Sequence, residues 1–145
     1  MVKAHRNAAD HHDLTAQAHR DTATYHDDQA ALHKTGNTQL SNHHASQAAL
    51  HRGHANAHDA SANHHRNAAQ AVNGPNHVEL KHVRESKRLA RTAHKELSAA
   101  ARHRQNPSEL DAAAKKHNYA MSHSQNAVHH ANQATAHVHS KRGPM

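Results

Sequence analysis

The amino-acid sequence predicts an all-α protein, an antiparallel up-down-up-down four-helix bundle with a core of alanine and histidine. Three observations predict it. Histidine recurs every seventh residue over long stretches, alanine follows nearly every one of these histidines four residues later, and helix-breaking residues divide the 145-residue chain into four segments of similar length. A seven-residue repeat with two marked positions keeps one seam of a helix turned toward its partners. We assign alanine to position a and histidine to position d of this repeat.

The first predicted helix covers residues 3–34, and Gly36 lies just past its end, where glycine commonly terminates helices. Its histidine series is unbroken, at His5, His12, His19, His26 and His33. The second predicted helix covers residues 39–72 and ends before a turn-forming run at 73–76. Its histidine series is His44, His51, His58 and His65. The two series predict the same inward-facing seam on both helices.

The third predicted helix covers residues 77–105 and the fourth 107–140, with Asn106 as a cap and Pro107 at the first helical position. The d positions of the third helix are His82, Leu89, Glu96 and His103. Those of the fourth are Glu109, Lys116, His123, His130 and His137. Because the connections are short, consecutive helices should run antiparallel. A short basic tail, 141–145, completes a single helical domain.

The composition is extreme, with 23 histidines, eight leucines, six valines and no Phe, Trp, Ile or Cys. So little apolar area is typical of a disordered chain. However, Gly and Pro are few and most of them lie where helices should end, so we expect an ordered bundle, with bound metal as one source of its stability. The absence of Cys excludes disulfides, thiolate metal sites and thiol catalysis.

The net charge of +7 and the isoelectric point near 10.2 suit an anionic partner such as nucleic acid. Against that partner, the basic residues are dispersed and the aromatic residues number only Tyr25 and Tyr119. We find no apolar stretch for a signal peptide and no run of membrane-spanning length. We therefore expect a cytoplasmic protein without a membrane partner, as a monomer or a homo-oligomer.

Folding the four d series about three turns predicts which residues share a height in the bundle. One level has four histidines, namely His12, His65, His82 and His130. The next level combines His19, His58, Leu89 and His123. The third level combines His26, His51, Glu96 and Lys116, and the fourth His33, His44, His103 and Glu109.

Imidazoles that converge from several helices are suitable ligands for divalent zinc, copper, nickel or cobalt. His51, His54 and His58 also share one helix face, and Glu96 could add an oxygen ligand. Lys116 at the level of Glu96 favours an ion pair there, and its charge directs a metal to the other half of the bundle. The candidate metal ligands are His12, His65, His82, His130, His19, His58, His123, His54, His51 and Glu96.

The leading hypothesis is a histidine-lined bundle that binds or stores divalent transition-metal ions. The alternative is a metal-free structural or pH-responsive bundle with a hydrogen-bonded histidine and water core, and the third is a basic protein that binds nucleic acid. In architecture alone the pattern resembles bacterial copper-storage bundles, which carry Cys where this chain has His, and the resemblance implies metal sequestration. No catalytic motif is present, so we do not expect an enzyme.

Overall fold

The computed structural model describes residues 2–71, 77–105 and 110–142 and confirms the all-α four-helix bundle. Its helices are α1 (Val2–His33), α2 (Thr38–Ala71), α3 (His77–Arg104) and α4 (Leu110–Arg142). Within the described ranges, only residues 34–37 and 105 lie outside helices. None of these helices has the length and apolar character needed to cross a membrane. The predicted turn at 73–76, the cap at Asn106 and Pro107, Glu109, residues 143–145 and the side chain of His137 lie outside what the structure describes.

Hydrogen bonds at the α1–α2 connection explain why α2 begins where it does. The side-chain oxygen of Asn37 accepts a bond of 3.0 Å from the backbone N–H of Leu40, which makes Asn37 the N-cap of α2. The Asn37 N–H donates to the carbonyl of His33 at 2.9 Å. The hydroxyl of Ser41 donates to the carbonyl of Ala30 at 2.7 Å, tying the start of α2 to the last turn of α1.

The helices run up-down-up-down as predicted, but consecutive helices are not always neighbours. Antiparallel hairpins form from α1 with α2 and from α3 with α4, while α1 also packs beside α3 and α2 beside α4. Helices α1 and α3 run parallel, because residue numbers increase in the same direction along both. Ala8 packs on Val83, and the hydroxyl of Thr15 donates to the carbonyl of Ala90 at 2.7 Å. The order around the bundle is therefore α1, α2, α4, α3, with α2 and α3 diagonally opposed.

The predicted alanine and histidine core is confirmed in the first hairpin. Positions a, d and g of α1 face inward, and its d histidines His5, His12 and His19 are completely buried. The corresponding d histidines of α2, at 51, 58 and 65, are buried to the same degree. Small alanines at a alternate with imidazoles at d, so large and small side chains interdigitate as dense packing requires.

The second hairpin departs from the predicted a/d seam, because α3 and α4 bury positions a and e instead. The buried e residues are Val83, Ala90 and Leu97 in α3 and Ser124 and Ala131 in α4. The d residues other than the buried Leu89 lie further out: Glu96, His123 and His130 are partly exposed, and Lys116 is exposed. Burying Glu96 and Lys116 at d would desolvate their charges, whereas the buried residues at e are apolar or small. The helices are accordingly rotated toward position e.

Candidate metal centre and histidine core

Four pairs of histidines join α1 to α2 through their Nδ1 atoms. The His12–His58 pair has an Nδ1–Nδ1 distance of 2.8 Å. The other three pairs are each 2.9 Å apart, and they are His5–His65, His19–His51 and His26–His44. A neutral imidazole has one donor nitrogen and one acceptor nitrogen, so each pair satisfies two polar atoms that would otherwise lack a hydrogen-bond partner.

Ring stacking connects one pair to the next. His65 stacks on His12 with ring centroids 5.4 Å apart, and His58 stacks on His19 at 5.5 Å. The same relation joins His51 to His26 at 5.5 Å and His44 to His33 at 6.0 Å. Nine imidazoles therefore form one continuous series, which we call the histidine ladder. In order along the bundle it contains His5, His65, His12, His58, His19, His51, His26, His44 and His33.

The ladder brings each predicted pair of histidines from α1 and α2 into ring contact. Residues expected at one height, such as His12 with His65, are stacked neighbours, and the hydrogen-bonded partner of each lies one repeat away. Charges on the flank of the hairpin follow the expected levels. Three arginines there meet aspartates, in the ion pairs Arg20–Asp59, Arg52–Asp27 and Arg66–Asp13. The flanking pairs expected from the sequence are thus confirmed, and each pair joins the two residues that directly follow histidines expected at one height.

A shift of one repeat would bring like charges together along the same flank. With α2 moved along α1 by one repeat, Arg20 would face Arg66, and Asp27 would face Asp59. Like charges placed opposite each other are unfavourable and select against the wrong pairing. The alternation of Arg and Asp one residue after the d histidines therefore specifies the observed register.

Two serines anchor the ladder to the second hairpin and fix a tautomer. The Ser86 hydroxyl donates to the carbonyl of Ala127 at 2.8 Å, so it accepts from the Nε2–H of His12 at 2.7 Å. His12 Nδ1 is then an acceptor and His58 Nδ1–H its donor, which leaves His58 Nε2 unprotonated. That nitrogen is buried and has no hydrogen-bond partner. In the same way, His19 Nε2 lies 2.8 Å from Ser124 Oγ.

Burial keeps the central histidines of the ladder uncharged. It is the main cause that lowers the pKa of His58 and His65 to about 3 and of His19 to about 2, with neighbouring imidazoles adding to the effect. The pKa of His12 is lowered well below its usual value for the same reasons. These histidines are therefore neutral at physiological pH, the form in which imidazole binds metal.

Among the described residues, one group of three histidines places ligand nitrogens within 4.8 Å of one another, and it comprises His26, His51 and His117. They come from α1, α2 and α4. His51 Nε2 lies 2.5 Å from His117 Nε2, and His26 Nε2 is buried without a partner. Two nitrogens bound to a tetrahedral zinc ion are about 3.3 Å apart. A metal would therefore require the rings of His51 and His117 to separate by about 0.8 Å.

A cavity of about 290 Å³ gives access to this group, because His26 and His117 line it. Arg104 also lines it, with its guanidinium carbon 4.2 Å from the centroid of the Tyr25 ring. Burial is the main cause that lowers the pKa of His26 to about 4 and of His51 to about 3, and the charge of Arg104 contributes. The pKa of His117 is lowered mainly by burial as well.

The predicted level of four histidines does not converge on one point. His12 and His65 belong to the ladder, whereas His82 and His130 pair across α3 and α4 with their Nδ1 atoms 3.1 Å apart. The expected match in height of His82 and His130 is thus confirmed. As metal ligands, all four stay predictions.

The other predicted ligands also lie in different parts of the bundle. His19 and His58 lie in the ladder, and His54 stacks on His19 with ring centroids 5.1 Å apart. Glu96 contacts His123 through Oε2 and Nδ1 at 2.8 Å. The expected ion pair of Glu96 with Lys116 is wrong, since Lys116 is exposed and His123 occupies the carboxylate.

Of the predicted ligands only His51 belongs to the three-histidine group. His26 was predicted as a core residue at position d but not as a ligand, and His117 was predicted at neither position a nor position d. His117 lies at position e of α4, and Ser124 and Ala131, the small residues that follow it at seven-residue intervals, are the signal that could have found it. The group also lies beside Lys116, at the end expected to repel a metal. The Lys116 side chain is exposed to solvent, where its charge is screened, and the half of the bundle that a metal favours stays a prediction.

Comparisons with protein families, with curated proteins and with solved structures give no match to this chain.

Proposed function

We propose that this protein binds a divalent transition-metal ion at His26, His51 and His117. The observation that carries the proposal is the convergence of three imidazoles from three helices, with their nitrogens within 4.8 Å of one another. Their lowered pKa values support it, because a metal then competes with few protons at neutral pH.

The donor set favours zinc, copper, nickel or cobalt. Imidazole nitrogen suits these ions, whereas calcium and magnesium prefer oxygen ligands. The chain has no Cys to supply thiolates. The fourth coordination position would face the cavity, so water or a small ligand could occupy it.

Metal analysis and calorimetry of the tag-free protein with Zn²⁺, Cu²⁺, Ni²⁺ and Co²⁺ test the proposal. We expect one tight equivalent of at least one metal, and His117→Ala should weaken it by about a hundredfold or more. The control is His64→Ala, which removes an exposed histidine of α2. Less than one tight equivalent of every metal, with the helical fold intact, would reject the proposal.

A second candidate is a metal-free bundle that responds to pH. The histidine ladder favours it, since hydrogen bonds and stacking between the imidazoles themselves join all nine rings. The two candidates separate after chelation. Helix content that survives the chelator but is lost in acid supports the second, whereas helix content that requires metal supports the first. Both are binding or structural roles, and we propose no catalytic step.

Binding of nucleic acid by the basic surface stays a prediction. Retention on DNA that falls steeply with added salt would support it.

A further inference from the structure

Arg104 places a charged group in the cavity, and this group takes part in neither the candidate metal centre nor the histidine ladder. Its guanidinium is half-buried against Tyr25, and no carboxylate in the described parts of the chain pairs with it. Burial lowers the pKa of Arg104, as expected for a cation without a counter-charge, although a guanidinium remains protonated in proteins. A desolvated cation without a partner is unfavourable, so an anion placed beside it would be stabilised.

The same cavity has an unsatisfied acceptor. The side-chain oxygen of Gln47 is buried without a hydrogen-bond partner, and Gln47 lines the cavity together with Arg104. An amide oxygen accepts hydrogen bonds but cannot donate them. A ligand that fits here must therefore bring an anionic group for Arg104 and a hydrogen-bond donor for Gln47.

Size and charge narrow the chemical class of the ligand. A volume of about 290 Å³ equals the space of about ten water molecules, at about 30 Å³ each. A planar carboxylate matches the two parallel N–H groups of a guanidinium. An ammonium donor would add positive charge next to Arg104, so a neutral hydroxyl suits Gln47 better.

We propose that this cavity binds a small hydroxycarboxylate, with the carboxylate on the guanidinium of Arg104 and the hydroxyl donating to the side-chain oxygen of Gln47. The proposal does not depend on metal binding, because neither Arg104 nor Gln47 belongs to the three-histidine group. It can be tested on metal-free protein.

Lactate and propionate form a matched pair of probes, because they are monoanions that differ only by the hydroxyl. We expect lactate to shift the Arg104 side-chain N–H resonance in a saturable NMR titration, and to bind at least fivefold more tightly than propionate. Sodium chloride at equal ionic strength controls for screening. A lactate response that matches chloride, or equal affinities for the two acids, would overturn the proposal.

Substitutions of Arg104 and Gln47 test the two proposed contacts separately. Arg104→Gln should weaken both acids at least tenfold, whereas Arg102→Gln, which removes an exposed charge from the same turn of α3, should leave them unchanged. Gln47→Leu should abolish the preference for lactate while propionate binds as before. Equal losses in the Arg102 and Arg104 variants would mean that the acids respond to net charge alone, which contradicts a site. Circular dichroism checks the fold of each variant.

Discussion

His51 Nε2 lies 2.5 Å from His117 Nε2, and this contact joins the histidine ladder of the first hairpin to α4 of the second. His51 also contacts His19 through Nδ1 at 2.9 Å, and His19 contacts Ser124 through Nε2 at 2.8 Å. A hydrogen-bonded series therefore runs from a buried serine in the core to the edge of the cavity. The candidate metal centre is one end of the ladder's bonding network and is positioned by it.

Arg104 should weaken metal binding at the three-histidine group. Its charge already lowers the pKa of His26, His51 and His117, which shows that it lies close enough to disfavour added positive charge. A unit charge about 10 Å from a divalent ion at an effective dielectric constant of about 20 opposes binding by roughly 3 kcal/mol before screening by salt.

We therefore expect Arg104→Gln to tighten zinc binding on the order of tenfold in calorimetry at low salt, an effect opposite in sign to its expected effect on lactate. The exposed Arg102→Gln serves as the control. Unchanged or weaker zinc binding in Arg104→Gln would show that this charge does not act on the site.

Acid should unfold the metal-free bundle. The pKa of His58 and His65 is about 3 in the folded state and about 6.5 in the unfolded chain, and the pKa of His12 is also strongly lowered. The unfolded chain therefore binds more protons between these values. The stabilising effect of neutral histidine is complete above pH 6.5 and is lost as the pH falls toward 3.

At pH 4.5 His58 and His65 together lower the free energy of unfolding by about 5 kcal/mol, and His12 adds to this effect. Typical domains are stable by only about 5–15 kcal/mol. Positive charge on His54, His117 and Arg104, which face other parts of the ladder, acts in the same direction. Far-UV circular dichroism from pH 7.5 to 4 should show the loss of helix, and full helicity at pH 4.5 would contradict the prediction.

Exchanging charges on the flank of the first hairpin tests what specifies its register. Arg20→Asp places a carboxylate opposite Asp59 and should destabilise the fold by about 1 kcal/mol, since exposed pairs contribute about 0.2–1 kcal/mol and repulsion adds to the loss. The double variant Arg20→Asp with Asp59→Arg should recover most of this. Urea unfolding at pH 7.5 measures both, with Arg6→Asp on the exposed face of α1 as the control. A double variant no more stable than the single one would mean that the pair has no role in pairing the helices.

The sequence predicted the helices well because the spacing of histidine and alanine and the positions of Gly36 and Pro107 are local signals. It also contained the α1–α2 register, in the loop positions from which the levels were counted and again in the charges beside the histidines. The rotation of α3 and α4 toward position e was harder to predict. The rotation depends on whether the d residues or the e residues of the two packed helices are less costly to bury, which the pattern of a single helix does not reveal. This rotation brings His117 to His51.

The hydrogen bond from His12 to Ser86 should fix the tautomers of one rung of the ladder. Because the Ser86 hydroxyl donates to the carbonyl of Ala127, it accepts from His12, which then carries its proton on Nε2 while His58 carries its proton on Nδ1. Nitrogen NMR at pH 7.5 should report this assignment. Ser86→Ala should remove the acceptor, leave a buried Nε2–H without a partner and destabilise the protein by about 1–3 kcal/mol. The exposed Ser122→Ala should cost much less. A proton on Nδ1 of His12 in the unmodified protein would contradict the assignment. It would show that Ser86 donates to the imidazole, and that the proton of His58 lies on Nε2.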